Sequence, residues 1–361
     1  MTLYVGLMSG TSMDGVDAAL VDVTTHRLLG GITRPYDFDV RERLYQLESQ
    51  PAMLPSQLCQ LNTILGHQFA ATVLQLLETL GYAPEDIVAI GSHGQTICHD
   101  AQAAIPYTLQ LGCPHTLAEA TGISVVADFR TRDLVVGGKG APFAPLYHQV
   151  LWGDQTDLAI VNIGGIANVT LFPSQDEAMG YDTGPGNCLL DAWIKRQLGR
   201  AYDKEGAYAA SGVIIPNLLT ALCLDPYFEL PFPKSLCKSY FSLDWLQHFL
   251  KQDYAHQDIQ ATLLALTTSS IARAVGQHAH AIRRLAICGG GVHNLALMQA
   301  LKQANPKLKV MSMQALDVNP DFLEAMMFAW LAHQNLTATK LDLRAITGAQ
   351  KRVLLGVVYW R

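Results

Sequence analysis

Charge is scarce in this chain: 16% of its 361 residues are charged, and the formal net charge is -6. That excludes a general polyanion-binding surface, which needs clustered Lys and Arg. A local basic pocket for a single nucleotide stays open. Long apolar runs are also missing, none approaching the roughly 18 residues of a membrane span. The opening Met1-Thr2-Leu3-Tyr4-Val5-Gly6 shows no basic region, apolar stretch and cleavage site, so the expected location is the cytoplasm. No low-complexity tract, charge block or Gly/Ser linker interrupts the chain, and any domain boundary is expected to be a compact hinge. Cysteines number seven, at 59, 98, 113, 188, 223, 237 and 288. They are scattered and form no C-x-x-C pair, which excludes a disulfide framework or zinc knuckle and leaves buried reduced thiols. Cys98-His99-Asp100 near His93 lacks the second ligand pair that a metal cluster needs.

Present in abundance is material for two cores, since half the residues are hydrophobic and the length suits two ordinary domains. Strands and helices alternate, the pattern of an α/β protein with mixed sheets. Strands are expected at Leu3–Met8, Val16–Val23, Ile87–Ile90, Ile123–Ala127, Leu158–Ile163, Asn168–Phe172 and Leu285–Cys288. Helical periodicity predicts Gln57–Leu80, stopped by Gly81, and helices near Asn187–Leu198, Ile259–Arg284 and Phe322–His333. LYVGLMSGTSMDGVDAALVDV at the start and LAIVNIGGIANVTLF about 155 residues later each read as strand, polar Gly turn, strand. Two such hairpins suggest duplicated α/β units facing one another.

The first turn runs Gly10-Thr11-Ser12-Met13-Asp14-Gly15-Val16-Asp17. Its glycines have P-loop spacing, but Val16-Asp17 stands where Lys-Ser/Thr is required, and G-x-G-x-x-G is absent. Backbone N–H groups in such a turn suit phosphate oxygens, and a carboxylate such as Asp14 suits Mg²⁺; an ordinary polar hairpin has the same look. The second turn, Asn162-Ile163-Gly164-Gly165-Ile166-Ala167-Asn168, offers another backbone-lined approach. Gly289-Gly290-Gly291-Val292-His293-Asn294 lies between a strand and a helix beginning near Leu295, where backbone can pass under a flat ligand or a phosphate. Three such loops in one chain favour a clamp on the polyphosphate of a nucleotide.

The order of first hairpin, second hairpin, strand–Gly-Gly-Gly–helix and final helix resembles the acetate and sugar kinase, heat-shock-70 and actin superfamily. Within it, GLMSGTSMDGVDAAL, SHGQT, ADFRTRD, GGKGAP, NIGGIANVT and GYDTGPGN closely resemble the bacterial anhydro-N-acetylmuramic acid kinases, from about residue 3 to about residue 350. The resemblance implies a duplicated actin-like (ribonuclease-H-like) two-domain α/β kinase fold with mixed sheets and an interdomain nucleotide cleft. The expected domains are 1–145, with the first phosphate loop and sugar-binding elements, and 146–361, with the second phosphate loop, the catalytic Asp and the nucleoside loop. It further implies ATP and Mg²⁺, a homodimer, and 1,6-anhydro-N-acetylmuramic acid as substrate, its bridge opened by water while O6 is phosphorylated. Carried over by residue, Gly10, Thr11, Ser12, Met13, Asp14, Gly15, Val16 and Asp17 form the first phosphate loop. Asn162, Gly164 and Gly165 form the second, and Gly289, Gly290, Gly291 and Asn294 the wall beside the nucleoside. The metal ligands stay unassigned, with Asp14 a candidate through water.

A muramic sugar carries a lactyl carboxylate, an N-acetyl group and ring oxygens. Ser12 and Glu324 are assigned to its site; for Glu324 a hinge role or an exposed helix carboxylate stands equally open. Arg130, after the expected strand, can grip a carboxylate bidentately. His93, Gln95 and Thr96 in Ser92-His93-Gly94-Gln95-Thr96 supply hydrogen-bonding groups at a strand end, where α/β ligand sites lie, although His93 also suits a structural role. Asp128 and Asp133 are further acceptors or partners for Arg130 and Arg132. Gly137-Gly138-Lys139-Gly140 reads as a mobile cover, with Lys139 open between a role and plain solvation. Tyr181-Asp182-Thr183-Gly184-Pro185-Gly186-Asn187 reads as a stiffened turn before a helix, placing Asp182 as the base that activates water or as a turn former. The rivals are a kinase for an ordinary hexose, with Asp182 deprotonating a hydroxyl, and an actin-like or chaperone-type ATPase, for whose peptide-binding domain the chain leaves no room.

Overall fold

A computed structural model describes residues 1–10, 13, 15–49, 54–174, 177–232, 234–236, 240–277 and 281–361. Strands are numbered along the chain: β1 (Leu3–Ser9), β2 (Gly15–Asp22), β3 (Arg27–Pro35), β4 (Ala89–Asp100), β5 (Tyr107–Leu111), β6 (Val125–Ala127), β7 (Leu158–Ile163), β8 (Ile166–Ser174), β9 (Glu177–Pro185), β10 (Arg284–Cys288), β11 (Lys309–Ser312) and β12 (Val357–Tyr359). Two compact units are present, residues 1–147 with 322–361, and residues 148–321.

The first unit's sheet has the order β12-β6-β4-β1-β2-β3, with β5 on β4. β1, β2 and β3 are antiparallel neighbours, while β4 runs parallel to β1 and β6 parallel to β4. One face is covered by the helix Pro55–Leu80, whose Leu61, Leu65, Phe69, Val73, Leu76 and Leu77 recur every three or four residues and are all buried. Pro55 opens this helix, and Gly81 closes it in the left-handed region, φ 75°.

The second unit's sheet has the order β11-β10-β7-β8-β9. Again three antiparallel strands are followed by two parallel ones, β10 beside β7 and β11 beside β10. The repeat visible in two hairpins therefore extends over five strands of each sheet. The core of this unit includes Val161, Val169, Tyr181, Trp193, Leu263 and Ile287.

Several boundaries differ from the sequence reading. The segment from Phe322 onward, expected in the second domain, packs in the first unit. Gly6 and Gly91 are register partners on β1 and β4, and a Cβ at either would overlap a carbonyl oxygen, of Ala325 or of Phe328. That bare strip lets the helix Leu323–Leu336 lie directly on the strands, and β12 adds to the same sheet against β6. The helix expected over Ile259–Arg284 is His256–Gly276, because Arg284 already pairs with Leu158 as β10 begins. Asp182 sits inside β9 and not in a turn, held there by pairing with Asn168 of β8. β4 extends well past Ile90 and carries His93, Gln95 and Thr96 within it.

Candidate functional site

Thr11, Ser12 and Asp14 of the first turn lie outside the described residues. The remainder is braced from behind. Gln95 is wholly buried, its Nε2 donating to the Gly10 carbonyl at 3.0 Å and its Oε1 accepting from the Tyr36 hydroxyl at 3.2 Å. Ser9 Oγ lies 2.7 Å from Gln95 Oε1 and 2.8 Å from the Gly15 carbonyl. Met13, with φ 55°, turns its side chain into the core, as does Val16, and Asp17 accepts the Thr33 hydroxyl at 2.6 Å. At Gly15 a Cβ would come within 2.5 Å of the Arg34 carbonyl oxygen, so the turn needs glycine there.

Arg130 occupies the first turn of the helix Phe129–Leu134, directly after β6. Asp128 between them takes φ 60°, an unfavourable conformation of the kind that gathers at functional sites. Arg130 Nε donates to His93 Nε2 at 2.9 Å and Nη1 to the Gly140 carbonyl at 2.6 Å, with the guanidinium over the Phe143 ring. Burial, followed by the Arg130 charge, pushes His93 well below its ordinary value and His99 down to about 4. Both imidazoles are thus neutral near pH 7, and Arg130 carries the positive charge. Burial raises the Glu324 pKa, the Arg130 charge opposes that, and Asp17 adds to it; electrostatics thereby links Glu324, Arg130 and Asp17. Thr96 accepts from Gln110. The loop at Gly137–Gly140, read as a mobile cover, is tied down instead: Gly138 N–H reaches the Asp133 carbonyl, Lys139 N–H the Thr347 carbonyl, and Gly140 N–H the Asp133 carboxylate.

In the second unit, Gly164 and Gly165 form the two-residue link between β7 and β8. Their carbonyls accept the N–H groups of Gly186, Asn187 and Cys188, where the helix Cys188–Leu198 begins. Hairpin oxygens thereby satisfy helix N-terminal donors that would otherwise lack partners. Asn187 Nδ2 adds a bond to the Ile163 carbonyl at 3.1 Å. The triple glycine packs against the same hairpin, since a Cβ on Gly289 would overlap Asn162 Oδ1 and one on Gly291 would press on Ile163. Gly290 faces open space, with Asn187 Nδ2 the nearest atom to a Cβ built there. Asn294 caps the helix Leu295–Ala304, accepting Leu297 N–H at 3.0 Å. Asn162, Gly164, Gly165 and Gly289–Gly291 are thus brought together by one sheet end.

Asp182 is 8% exposed and in register with Asn168, itself in register with Asn162. These three polar residues therefore form one row across β7, β8 and β9. A bulge between Ala167 and Asn168 leaves Thr183 unpaired and re-aims Asp182. Among the described residues, three groups hold Asp182: Leu236 N–H donates to Oδ2 at 2.8 Å, the Lys234 carbonyl accepts its N–H at 3.1 Å, and the Tyr227 hydroxyl donates to its carbonyl at 2.7 Å. Lys234 Nζ in turn donates to the carbonyls of Tyr227 and Phe228, and burial lowers its pKa.

Sequence reasoning passed over Ser9, Tyr36, Tyr227, Lys234 and Leu236 as site-forming residues. Tyr227 and Leu236 reach Asp182 from 45 and 54 residues away and carry no local motif. Asn187 was at hand in GYDTGPGN but without an assigned role. Among the described residues no group of three or more His, Cys, Asp or Glu is arranged to hold a metal ion, and no helix is long and apolar enough to cross a membrane.

Among solved structures, component A of the (R)-2-hydroxyglutaryl-CoA dehydratase of Acidaminococcus fermentans is similar in fold, with a TM-score of 0.50 at 11% identity over 93% of this chain and 100% of that one. The fold is the actin-like α/β type. A protein of Legionella pneumophila (strain Lens) named anhydro-N-acetylmuramic acid kinase is 52% identical over 360 residues, covering 99% of this chain and 98% of that one. One of the same name from Aliivibrio fischeri is 42% identical over 364 residues, 99% of each chain. The family model described as anhydro-N-acetylmuramic acid kinase matches residues 2–361. On these matches the chain belongs to the anhydro-N-acetylmuramic acid kinase family.

Proposed function

We propose that this enzyme transfers the γ-phosphoryl group of ATP to O6 of 1,6-anhydro-N-acetylmuramic acid while water opens the anhydro bridge, giving N-acetylmuramic acid 6-phosphate and ADP in cell-wall recycling. Family membership along the whole chain supports the substrate and the use of ATP. The observation that carries the chemistry is Asp182, a buried carboxylate with Oδ2 fixed by Leu236 N–H and main chain anchored on both sides. A base so held needs no reorganisation at the moment of proton transfer.

Asp182 takes a proton from the water that attacks C1, the C1–O6 bond breaks with its electron pair left on O6, and O6 attacks the γ-phosphorus as the bond to ADP breaks. Arg130 binds the lactyl carboxylate. Thr96, Asp128, Glu324 and Ser12 complete the sugar site, and His93 and Gln95 act there by holding Arg130 and Gly10. Gly10–Asp17 and Asn162, Gly164 and Gly165 contact the phosphates, with Gly289–Gly291 and Asn294 beside the nucleoside. A divalent ion would be held at the first turn mainly through water, since Mg²⁺ keeps most of its waters and takes only one or two carboxylates. Asp14, through water, is its candidate ligand, and the ion would supply charge neutralisation on the polyphosphate. A homodimer, supported by the family resemblance, and a cytoplasmic location complete the reading.

The test is mass spectrometry of products formed from the anhydro sugar, ATP and Mg²⁺ in ¹⁸O-labelled water. Label at C1 with phosphate on O6 is expected. Label on phosphate would mean plain ATP hydrolysis, and an unlabelled phosphorylated sugar would mean that the bridge opens without water.

A further inference from the structure

One acceptor that directs Arg130 is a main-chain carbonyl, that of Gly140. Gly140 has φ 70° and is buried, a left-handed conformation that glycine takes without strain. Its N–H is held at 2.7 Å by Oδ2 of Asp133, one turn beyond Arg130 on the same helix. Oδ1 of Asp133 accepts the Thr347 hydroxyl at 2.9 Å across 214 residues of sequence. Asp133 and Thr347 are both 0% exposed. The Thr347 carbonyl accepts Lys139 N–H at 3.0 Å, and Gln350 N–H donates to the Val136 carbonyl at 2.9 Å, so the late segment grips the loop on both sides of Gly138. A Cβ on Gly138 would overlap the Asp133 carboxylate, which shows how closely the loop lies on it. A carboxylate is costly to bury unless its oxygens are occupied, and here each oxygen meets one of the two parts being joined.

We propose that Asp133 and Thr347 are positioning residues for recognition of the sugar's carboxylate: they fix Gly140, whose carbonyl, together with His93, aims the Arg130 guanidinium. Clamped through Nε and Nη1, that planar group keeps one direction for its outer edge, as bidentate pairing requires. The proposal rests on Arg130 as the carboxylate-binding group, and the experiment separates the two.

Steady-state constants for sugar and ATP are measured, with thermal melts, for Arg130→Ala, Asp133→Asn, Thr347→Val, Thr347→Ser and the double variant Arg130→Ala/Thr347→Val. Arg130→Ala should raise KM for the sugar about 100-fold with KM for ATP within about twofold, a loss in the range of a charge-assisted pair. Asp133→Asn and Thr347→Val should each raise the sugar KM about tenfold and change kcat little, as expected when a binding group is misaimed. Thr347→Ser, which keeps the hydroxyl, should restore wild-type KM. In the Arg130→Ala background Thr347→Val should add less than about twofold, because the group it aims is gone. Unchanged sugar KM in Arg130→Ala would sink the carboxylate reading itself. A full effect of Thr347→Val in that background, equal losses for sugar and ATP, or no effect in either background would overturn the positioning role and leave Arg130 in place. Should Asp133→Asn fail to fold, the Val and Ser variants of Thr347 carry the test alone.

Discussion

The two sheets share a strand order and differ in what their matching strands are used for. In the first, β1 and β4 present the facing pair Gly6 and Gly91; in the second, β7 and β10 pair Ile160 with Ala286 and Val161 with Ile287. Bare backbone in the first sheet receives the helix Leu323–Leu336, whereas apolar side chains in the second form ordinary core. The hairpin turns differ as well. Side chains of Ser9, Tyr36 and Gln95 brace the first from behind, while the second is held by main-chain donors at the start of a helix. The third strands diverge most: β3 is largely half-exposed, and β9 is buried and carries Asp182. Duplication supplied a common frame, and a few residues gave each copy its own task.

The largest expected effect would break the comparison at β9. Asp182→Asn keeps the shape but cannot accept a proton, so kcat should fall toward the upper end of the roughly 10²–10⁴ range for loss of a general base, with sugar binding by calorimetry unchanged. A near-normal kcat would reduce Asp182 to a structural strand residue. Next comes the glycine pair. Gly6→Ala drives a methyl into the Ala325 carbonyl and should cost about 3 kcal/mol of stability by denaturant titration, at the upper end of overpacking effects. A variant as stable as wild type would show that the helix does not depend on the bare strip.

A smaller loss is expected from Gly186→Ala, which sets a Cβ against the Gly164 carbonyl and so disturbs only the second turn. About 2 kcal/mol should be lost, with KM for ATP rising more than KM for the sugar; equal rises would mean that the two turns are not separate in function. The smallest effect is electrostatic. Burial and the Asp203 charge hold Asp191, on the helix that begins at the second turn, at about 7, against about 3.9 in an unfolded chain. Between those values the folded protein binds more protons, so this group makes stability fall as pH rises from about 4 to about 7. Asp191→Asn should therefore gain on wild type in melting temperature between pH 5 and pH 8, by a few degrees at most. A difference independent of pH would remove Asp191 as the cause.

Much of the frame was legible in advance because it is written in local patterns. The strand Leu158–Ile163 and the helix ending at Gly81 follow from periodicity and a left-handed stop, and the Gly turns announced close backbone approach before any contact was known. The placement of Asp182 was less legible. Asp-Thr-Gly-Pro reads as a turn by composition, but pairing with Asn168 and a bulge at Thr183 draw it into a strand, and pairing partners are not encoded within a window of seven residues.

By itself the amino-acid sequence determined the main run of many strands and helices and where the Gly-rich turns lie, because these depend on neighbours a few positions apart. Only the tertiary structure decided that residues 322–361 belong with the first unit, that Tyr227, Lys234 and Leu236 hold Asp182, and that Thr347 reaches Asp133 behind Arg130. Those contacts join residues tens to hundreds of positions apart. They exist because a buried polar group must find a partner wherever the folded chain provides one.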